Sequence, residues 1–305
     1  MKTEGQLVKT YPFKKLDAFA TTTSEGNPAG YIHLDVKDSM DDAEMLRIAR
    51  ELKGFVSEVG YLCQVDAATF SLRYFSSERE VAFCGHATIA ILYDLLKNQP
   101  ALRQLPEVEI LTSKGRLRVE NGVREQDAVF VMAPVPEFRE CSIPREAIAA
   151  ALNLQPSDIR TDVEVAVVNG GLETLLVPIA SLPSILDMHP DFGTIRQFCV
   201  DQSVDIIEVF CADTVDAGCD YRTRVFAPTF GYLEDPATGS GNSALGYYLL
   251  SRGRWDGNAL TLEQNGIRDR YNLVKLKTAL DADGRTRVLF GGGAVTRIDG
   301  KYILV

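Results

Sequence analysis

The sequence predicts an α+β protein built from two similar halves. Three observations lead there. Gly85 to Leu96 (GHATIAILYDLL) aligns without gaps on Gly239 to Leu250 (GSGNSALGYYLL), sharing Gly85/Gly239, Ala90/Ala244, Tyr93/Tyr247, Leu95/Leu249 and Leu96/Leu250. Upstream, Arg73-Tyr-Phe-Ser-Ser corresponds loosely to Arg224-Val-Phe-Ala-Pro, so each half offers a strand, a glycine-bearing turn and an apolar helix in the same order. Several strand patterns also run consecutively, as from Val59 to Phe75, which favours mixed or antiparallel sheets over a doubly wound parallel one.

Along the chain, Tyr31 to Val36 reads as a strand. Asp41 to Leu52 reads as a helix with Ser39 as its N-cap and Met45, Ile48, Ala49 and Leu52 on one face. Val59 to Val65 and the alternating Phe70 to Phe75 are strands. Ala133-Pro134-Val135-Pro136 is a linker, because proline stiffens it and cannot continue a ladder. Pro144 to Leu152 is helical; Glu173 to Pro178, Ile206 to Phe210 and Tyr221 to Phe226 are strands. The tail from Arg287 to Val305 reads as a hairpin turning at Asp299-Gly300. The expected domains are 1–134, completed by returning strands at about 285–305, and 135–284.

Composition narrows the function. The chain has 305 residues and a formal net charge of -10, and an acidic surface repels phosphate backbones, so nucleic acid is not an expected partner. No stretch approaches the roughly 20 apolar residues of a membrane helix. The start, MKTEGQLVKTYPFKK, lacks the apolar core of a secretory signal. The six cysteines form no CxxC pair, which argues against a disulfide scaffold or a zinc site and fits a reducing, cytoplasmic location.

Two turns carry the candidate chemistry: Phe83-Cys84-Gly85-His86-Ala87-Thr88 and Glu234-Asp235-Pro236-Ala237-Thr238-Gly239-Ser240-Gly241. Each precedes an apolar helix, whose free N–H groups bind anions, and glycine lets a ligand near the backbone. Both turns also read as ordinary capped helix starts. His86 fits a structural histidine as well as a hydrogen-bond donor kept neutral by the helix dipole. Asp235 before a proline is extended and able to reach a cleft, and is equally common turn chemistry. Glu58, amid Gly54 to Leu62, is either a solvent-facing strand residue or, if half-buried, a carboxyl with a raised pKa suited to carrying protons. The GxGxxA pattern at Gly239 lacks the preceding strand of a dinucleotide site, and no GxSxG or HExxH occurs.

Together these pieces resemble the phenazine-biosynthesis PhzF-like family, which shares the diaminopimelate epimerase fold. The resemblance runs nearly end to end: Asp17-Ala-Phe19, Gly26-Asn27-Pro28-Ala29-Gly30, Ser57-Glu58, the two turns above, Glu263-Gln264, and Gly291-Gly-Gly-Ala-Val295. It implies two lobes, each a barrel-like mixed or antiparallel sheet around a central helix, with the active site between them. It implies a cofactor-independent, metal-free isomerase acting on a small carboxylic acid, and a homodimer. Carried over by motif, Glu58 is the general acid/base, and His86, Asp235 and Ser240 complete the catalytic set. Asn27, Gly85, Ala87, Thr238, Gly239 and Gly241 are the expected substrate-binding residues. Two alternatives stand beside this reading. One is a thiol-dependent epimerase or racemase using Cys84, which the repeat opposes by placing Thr238 at the partner position. The other is a non-catalytic binding protein on the same fold.

Overall fold

The computed structural model describes residues 8–36 and 39–305, so the first seven residues of the N-terminal segment read above lie outside the described ones. Contacts divide the chain into two compact units. The first holds the described residues up to Ala18, Asn27–Val129 and Gly293–Val305; the second holds Phe19–Gly26 and Phe130–Gly292.

The first unit opens with strands β1 (Lys9–Ala18) and β2 (Asn27–Leu34), paired antiparallel with Leu16 opposite Ala29. Helix α1 (Asp42–Glu51) follows. Its N-cap is Asp41 rather than Ser39: the Asp41 carboxylate accepts from the Glu44 N–H at 2.8 Å, and Glu44 reaches back to close a capping box. Met40 and Met45, flanking that cap, are buried in one cluster with Ile48 and Val59, a hydrophobic staple that sets where the helix begins. Strand β3 (Glu58–Gln64) lies parallel to β2 and antiparallel to β4 (Thr69–Ser76), which also carries the short β5 (Glu80–Val81). Helix α2 (Gly85–Asn98) is largely apolar and buried from Ala87 to Leu96, as a central helix must be. A Cβ on Gly60 of β3 would overlap Ile91 Cδ1 of α2, so glycine is what lets strand and helix close up. After α3 (Pro100–Arg103), β6 (Glu107–Thr112) pairs parallel with β4 and antiparallel with β7 (Gly115–Gly122).

The C-terminal strand, Ala294–Leu304, pairs antiparallel with β1 along its length. The expected hairpin at Asp299-Gly300 does not form. The strand runs straight through, Gly300 opposite Phe13, because β1 offers a continuous edge of partners that outweighs a local turn signal.

Strand β8 (Ala128–Met132) carries the chain into the second unit, and 133–136 are irregular. There β9 (Glu137–Arg139), α4 (Arg145–Leu152), β10 (Ala166–Asn169), β11 (Glu173–Pro178), α5 (Leu182–Leu186), α6 (Phe192–Gln202), β12 (Ile206–Cys211) and β13 (Tyr221–Phe226) follow in order. Next come β14 (Glu234–Asp235), α7 (Gly239–Ser251), β15 (Leu260–Gln264), β16 (Asn272–Leu280) and β17 (Thr286–Gly292). The ladder repeats the first unit. β10–β11 is antiparallel, β11–β12 parallel, β12–β13 antiparallel, β13–β15 parallel and β15–β16 antiparallel. Helix α7, buried from Gly241 to Leu249, holds the place of α2. The protein is therefore α+β with two similar lobes, as the repeat predicts, each a barrel-like mixed sheet with a central helix, as the family resemblance implies.

Candidate active site

In the first unit the site is built from the start of β3 and the start of α2. Parallel pairing sets Glu58 beside Ala29, so the first residues of β2, including buried Asn27, run alongside it. Cys84 is the N-cap of α2, and no side-chain hydrogen bond caps the helix start at Gly85-His86-Ala87. The turn is held from behind: Thr88 Oγ1 donates to the Cys84 carbonyl at 2.7 Å and meets the Tyr74 hydroxyl of β4 at 2.6 Å. This scaffold brings three reactive groups together. His86 Nε2 lies 3.2 Å from Glu58 Oε2. Cys84 Sγ lies 3.6 Å from the same oxygen and 3.4 Å from His86 Nδ1.

The electrostatics of this triad differ from the sequence expectation. Burial pushes the Glu58 carboxyl up, but the hydrogen bond and charge of His86, with the Cys84 thiol, outweigh it and hold Glu58 below its ordinary value. Burial works against a charged His86 ring, yet contacts with Cys84 and Glu58 raise its pKa well above the ordinary value. The Cys84 thiol is itself pushed up, by burial first and then by the Glu58 charge, so it is un-ionised near neutral pH. The partner that keeps the proton on His86 is therefore the Glu58 carboxylate. The expected raised Glu58 and neutral His86 are both overturned by the contact between them, which sequence distance hides.

In the second unit the corresponding turn opens α7. Its N-cap, Thr238, also makes no side-chain cap. Gln264, at the end of β15, threads the turn: its Oε1 accepts from the Thr238 N–H at 3.0 Å and from Asn242 Nδ2 at 2.7 Å, and its Nε2 donates to the Asp235 carbonyl at 2.9 Å. Asn242 donates in turn to the Thr238 carbonyl at 2.7 Å. Asp235 pairs with Val225 as strand β14 and accepts from the Ala237 N–H at 3.3 Å. Ser240 is half-buried at the second helical position. The glycines serve packing: a Cβ on Gly239 would strike the Phe290 ring, and one on Gly241 would come within 2.5 Å of Glu208 Oε2. Only their backbone faces remain for a ligand.

Of the sequence candidates, Glu58, His86, Gly85 and Ala87 thus share one turn region with Asn27 nearby in the ladder, and Asp235, Thr238, Gly239, Ser240 and Gly241 share the other. Sequence reasoning missed the direct contacts of Cys84, the clasp made by Gln264 and Asn242, and Glu208. Glu208 is fully buried, with neither oxygen hydrogen-bonded, and burial raises its pKa well above the ordinary value. Its signal was available, a charge inside Ile206-Ile207-Glu208-Val209-Phe210.

A duplicated α+β fold whose two central helices both start without a side-chain cap, one beside a carboxylate–imidazole pair, defines the architectural class. The comparisons specify it. The chain belongs to the phenazine biosynthesis-like protein family (PhzC-PhzF), whose model matches residues 16–300. It is 29% identical over 285 residues to the uncharacterized isomerase YfhB of Bacillus subtilis, covering 92% of this chain and 94% of that one. It is 27% identical over 291 residues to the trans-2,3-dihydro-3-hydroxyanthranilate isomerase of Pseudomonas fluorescens, covering 95% and 98%. The crystal structure of the Bacillus anthracis phenazine biosynthesis protein of the PhzF family has the same fold, with TM-score 0.84 at 24% identity over 97% and 99% of the chains. The chain is an isomerase of this family. Among the described residues no helix is long and apolar enough to cross a membrane.

Proposed function

We propose that this isomerase moves a proton between two carbons of a small unsaturated carboxylic acid by general acid/base catalysis through Glu58, without a cofactor. The observation that carries the reading is the ionised Glu58 carboxylate held 3.2 Å from His86 at the uncapped start of α2. Glu58 takes a proton from a C–H bond, the electron pair delocalises towards the substrate's carboxyl group, and the protonated Glu58 returns the proton to the second carbon. Nothing is oxidised or reduced. The amide groups of Gly85 and Ala87 offer hydrogen bonds to the substrate's acidic group as charge grows on it. Asn27, Asp235, Thr238, Ser240 and the backbone of Gly239 and Gly241 are proposed as further substrate contacts on their match to the family motifs. A homodimer and a cytoplasmic location belong to the same proposal.

The thiol-dependent alternative is the weaker reading, because an un-ionised Cys84 is a poor base and Thr238 supplies no second thiol. The test is incubation in D₂O with a panel of small unsaturated and amino carboxylic acids, followed by NMR. Product or deuterium incorporation that vanishes in Glu58→Gln supports the proposal; full activity in Glu58→Gln ends it.

A further inference from the structure

We propose that Gln264 and Asn272 are positioning residues of the isomerase: their side-chain amides, opposite each other in the β15–β16 ladder, set the backbone of the Asp235–Thr238 turn and so hold Asp235 and the start of α7 in place for the substrate. The positioning rests on the function proposed above; the clasp does not, since it follows from the hydrogen bonds.

Gln264 and Asn272 are direct antiparallel partners, so their side chains leave the sheet on the same face. Both are buried, 0% and 1% exposed. Asn272 works at both ends: its Oδ1 accepts from the Gly26 N–H at 2.9 Å, and its Nδ2 donates to the Pro236 carbonyl at 2.7 Å. Gln264 holds the groups on either side, the Asp235 carbonyl at 2.9 Å and the Thr238 N–H at 3.0 Å. Two side chains thus take three backbone groups of a turn whose proline has no N–H to give a ladder. Asn272 ties that turn to Gly26, the residue before Asn27. Gly26, the turn and both amides all belong to the second unit. The orientation of each amide is fixed by its partners: turned over, Gln264 would set Nε2 against the Thr238 N–H and Asn242 Nδ2, and its oxygen against a carbonyl. A leucine of similar size in either place leaves those backbone groups unpaired, so the change reaches the turn. With these bonds made, neither amide is itself a substrate contact; each acts through the turn. With the Thr238 N–H taken by Gln264, a substrate's acidic group meets the turn from Gly239 onward, where the first N–H groups of α7 have no carbonyl within the helix to meet.

The test uses the full chain and an acid from the panel above that wild type converts. Asn272→Leu and Gln264→Leu should raise KM at least about ten-fold while kcat stays within about three-fold, because what is lost is binding common to ground and transition states. Hydrogen exchange, read by NMR, should quicken at least about ten-fold at the Gly26 N–H in Asn272→Leu and at the Thr238 N–H in Gln264→Leu. Asn121→Leu is the control. Asn121 also uses both amide ends, on the Leu105 carbonyl at 2.8 Å and the Val123 N–H at 3.2 Å, but in the first unit. Its loss should lower stability and leave KM unchanged. Should a leucine variant fail to fold, Asn272→Asp and Gln264→Glu keep the shape and the accepting oxygen and lose the donated bond, with a KM rise of at least about three-fold expected. Unchanged KM in folded variants, whether or not exchange quickens, overturns the positioning role, as does an equal KM rise in Asn121→Leu. Unchanged exchange at both amides overturns the clasp. The isomerase reading is judged apart, by Glu58→Gln: full activity there ends that reading and leaves the KM comparison standing.

Discussion

The start of α2 and the start of α7 are two copies of one piece of structure that have kept the frame and exchanged the chemistry. Strand pairing sets the correspondence: Glu58 faces Ser76 and Val59 faces Phe75 in the first unit, while Ile207 faces Phe226 in the second. With Phe75 matched to Phe226, Glu58 answers to Ile206 and Gly60 to Glu208. Helix alignment matches Cys84 to Thr238, His86 to Ser240 and Thr88 to Asn242. The frame is common to both: an uncapped helix start and a residue at the fourth helical position tied back to the N-cap carbonyl at 2.7 Å. The carboxylates differ. Glu58 sits at a strand end with a cation and partial access to water, and stays ionised. Glu208, two positions further in, has burial and no partner, and is held as a neutral acid. Position along a strand, not residue type, decides which of two glutamates has its pKa lowered and which has it raised.

The largest effect expected from breaking this contrast is on rate. Glu58→Gln should lower kcat by about 10²–10⁴, whereas Glu208→Gln should leave kcat within about two-fold, read from steady-state kinetics on the same substrate. The next effect is on packing. Gly60→Ala forces a methyl into Ile91 and should cost about 1–3 kcal/mol by denaturant unfolding. Ile91→Val removes the atom in the way, so the double variant should recover part of that loss and the two changes should not add.

A smaller effect carries a sign. Below the ordinary carboxylate value of 4.5, Glu208 is protonated folded or unfolded and adds nothing to the pH dependence of stability. As pH rises, the unfolded chain ionises and the folded one does not, so stability falls by up to about 1.4 kcal/mol per pH unit until the folded group itself titrates. Glu208→Gln should therefore gain stability over wild type at pH 8 and lose that advantage at pH 4. An equal difference at both pH values would mean that Glu208 has a charged partner. The smallest effect, about 1 kcal/mol in thermal unfolding, is expected from Asp41→Ala, which opens the α1 cap, while Ser39→Ala should change little.

Much of this was legible in the sequence because it is local. The strands Glu173–Pro178 and Tyr221–Phe226 match their expected bounds, since a run of β-formers between polar turns needs no distant information. The two central helices were legible as a repeat. What was lost depends on partners far along the chain. The Asp299-Gly300 turn signal yields to pairing with β1, nearly 290 residues away in sequence. The Ser39 cap is the exception, a local miss: it yields to Asp41, whose carboxylate is the one within reach of the Glu44 N–H. The proton balance of the candidate site was unreadable because its partners are distant: Glu58 and His86 lie 28 positions apart, and only the fold sets them 3.2 Å apart.

The most direct test of the central claim, that proton transfer belongs to Glu58 and not to Cys84, is deuterium incorporation into product in D₂O by Glu58→Gln and Cys84→Ala side by side, with product yield followed in the same spectra. The account predicts that Glu58→Gln loses both turnover and label while Cys84→Ala keeps both to within about ten-fold. The reverse pattern, label surviving without Glu58 and vanishing without the thiol, would contradict it.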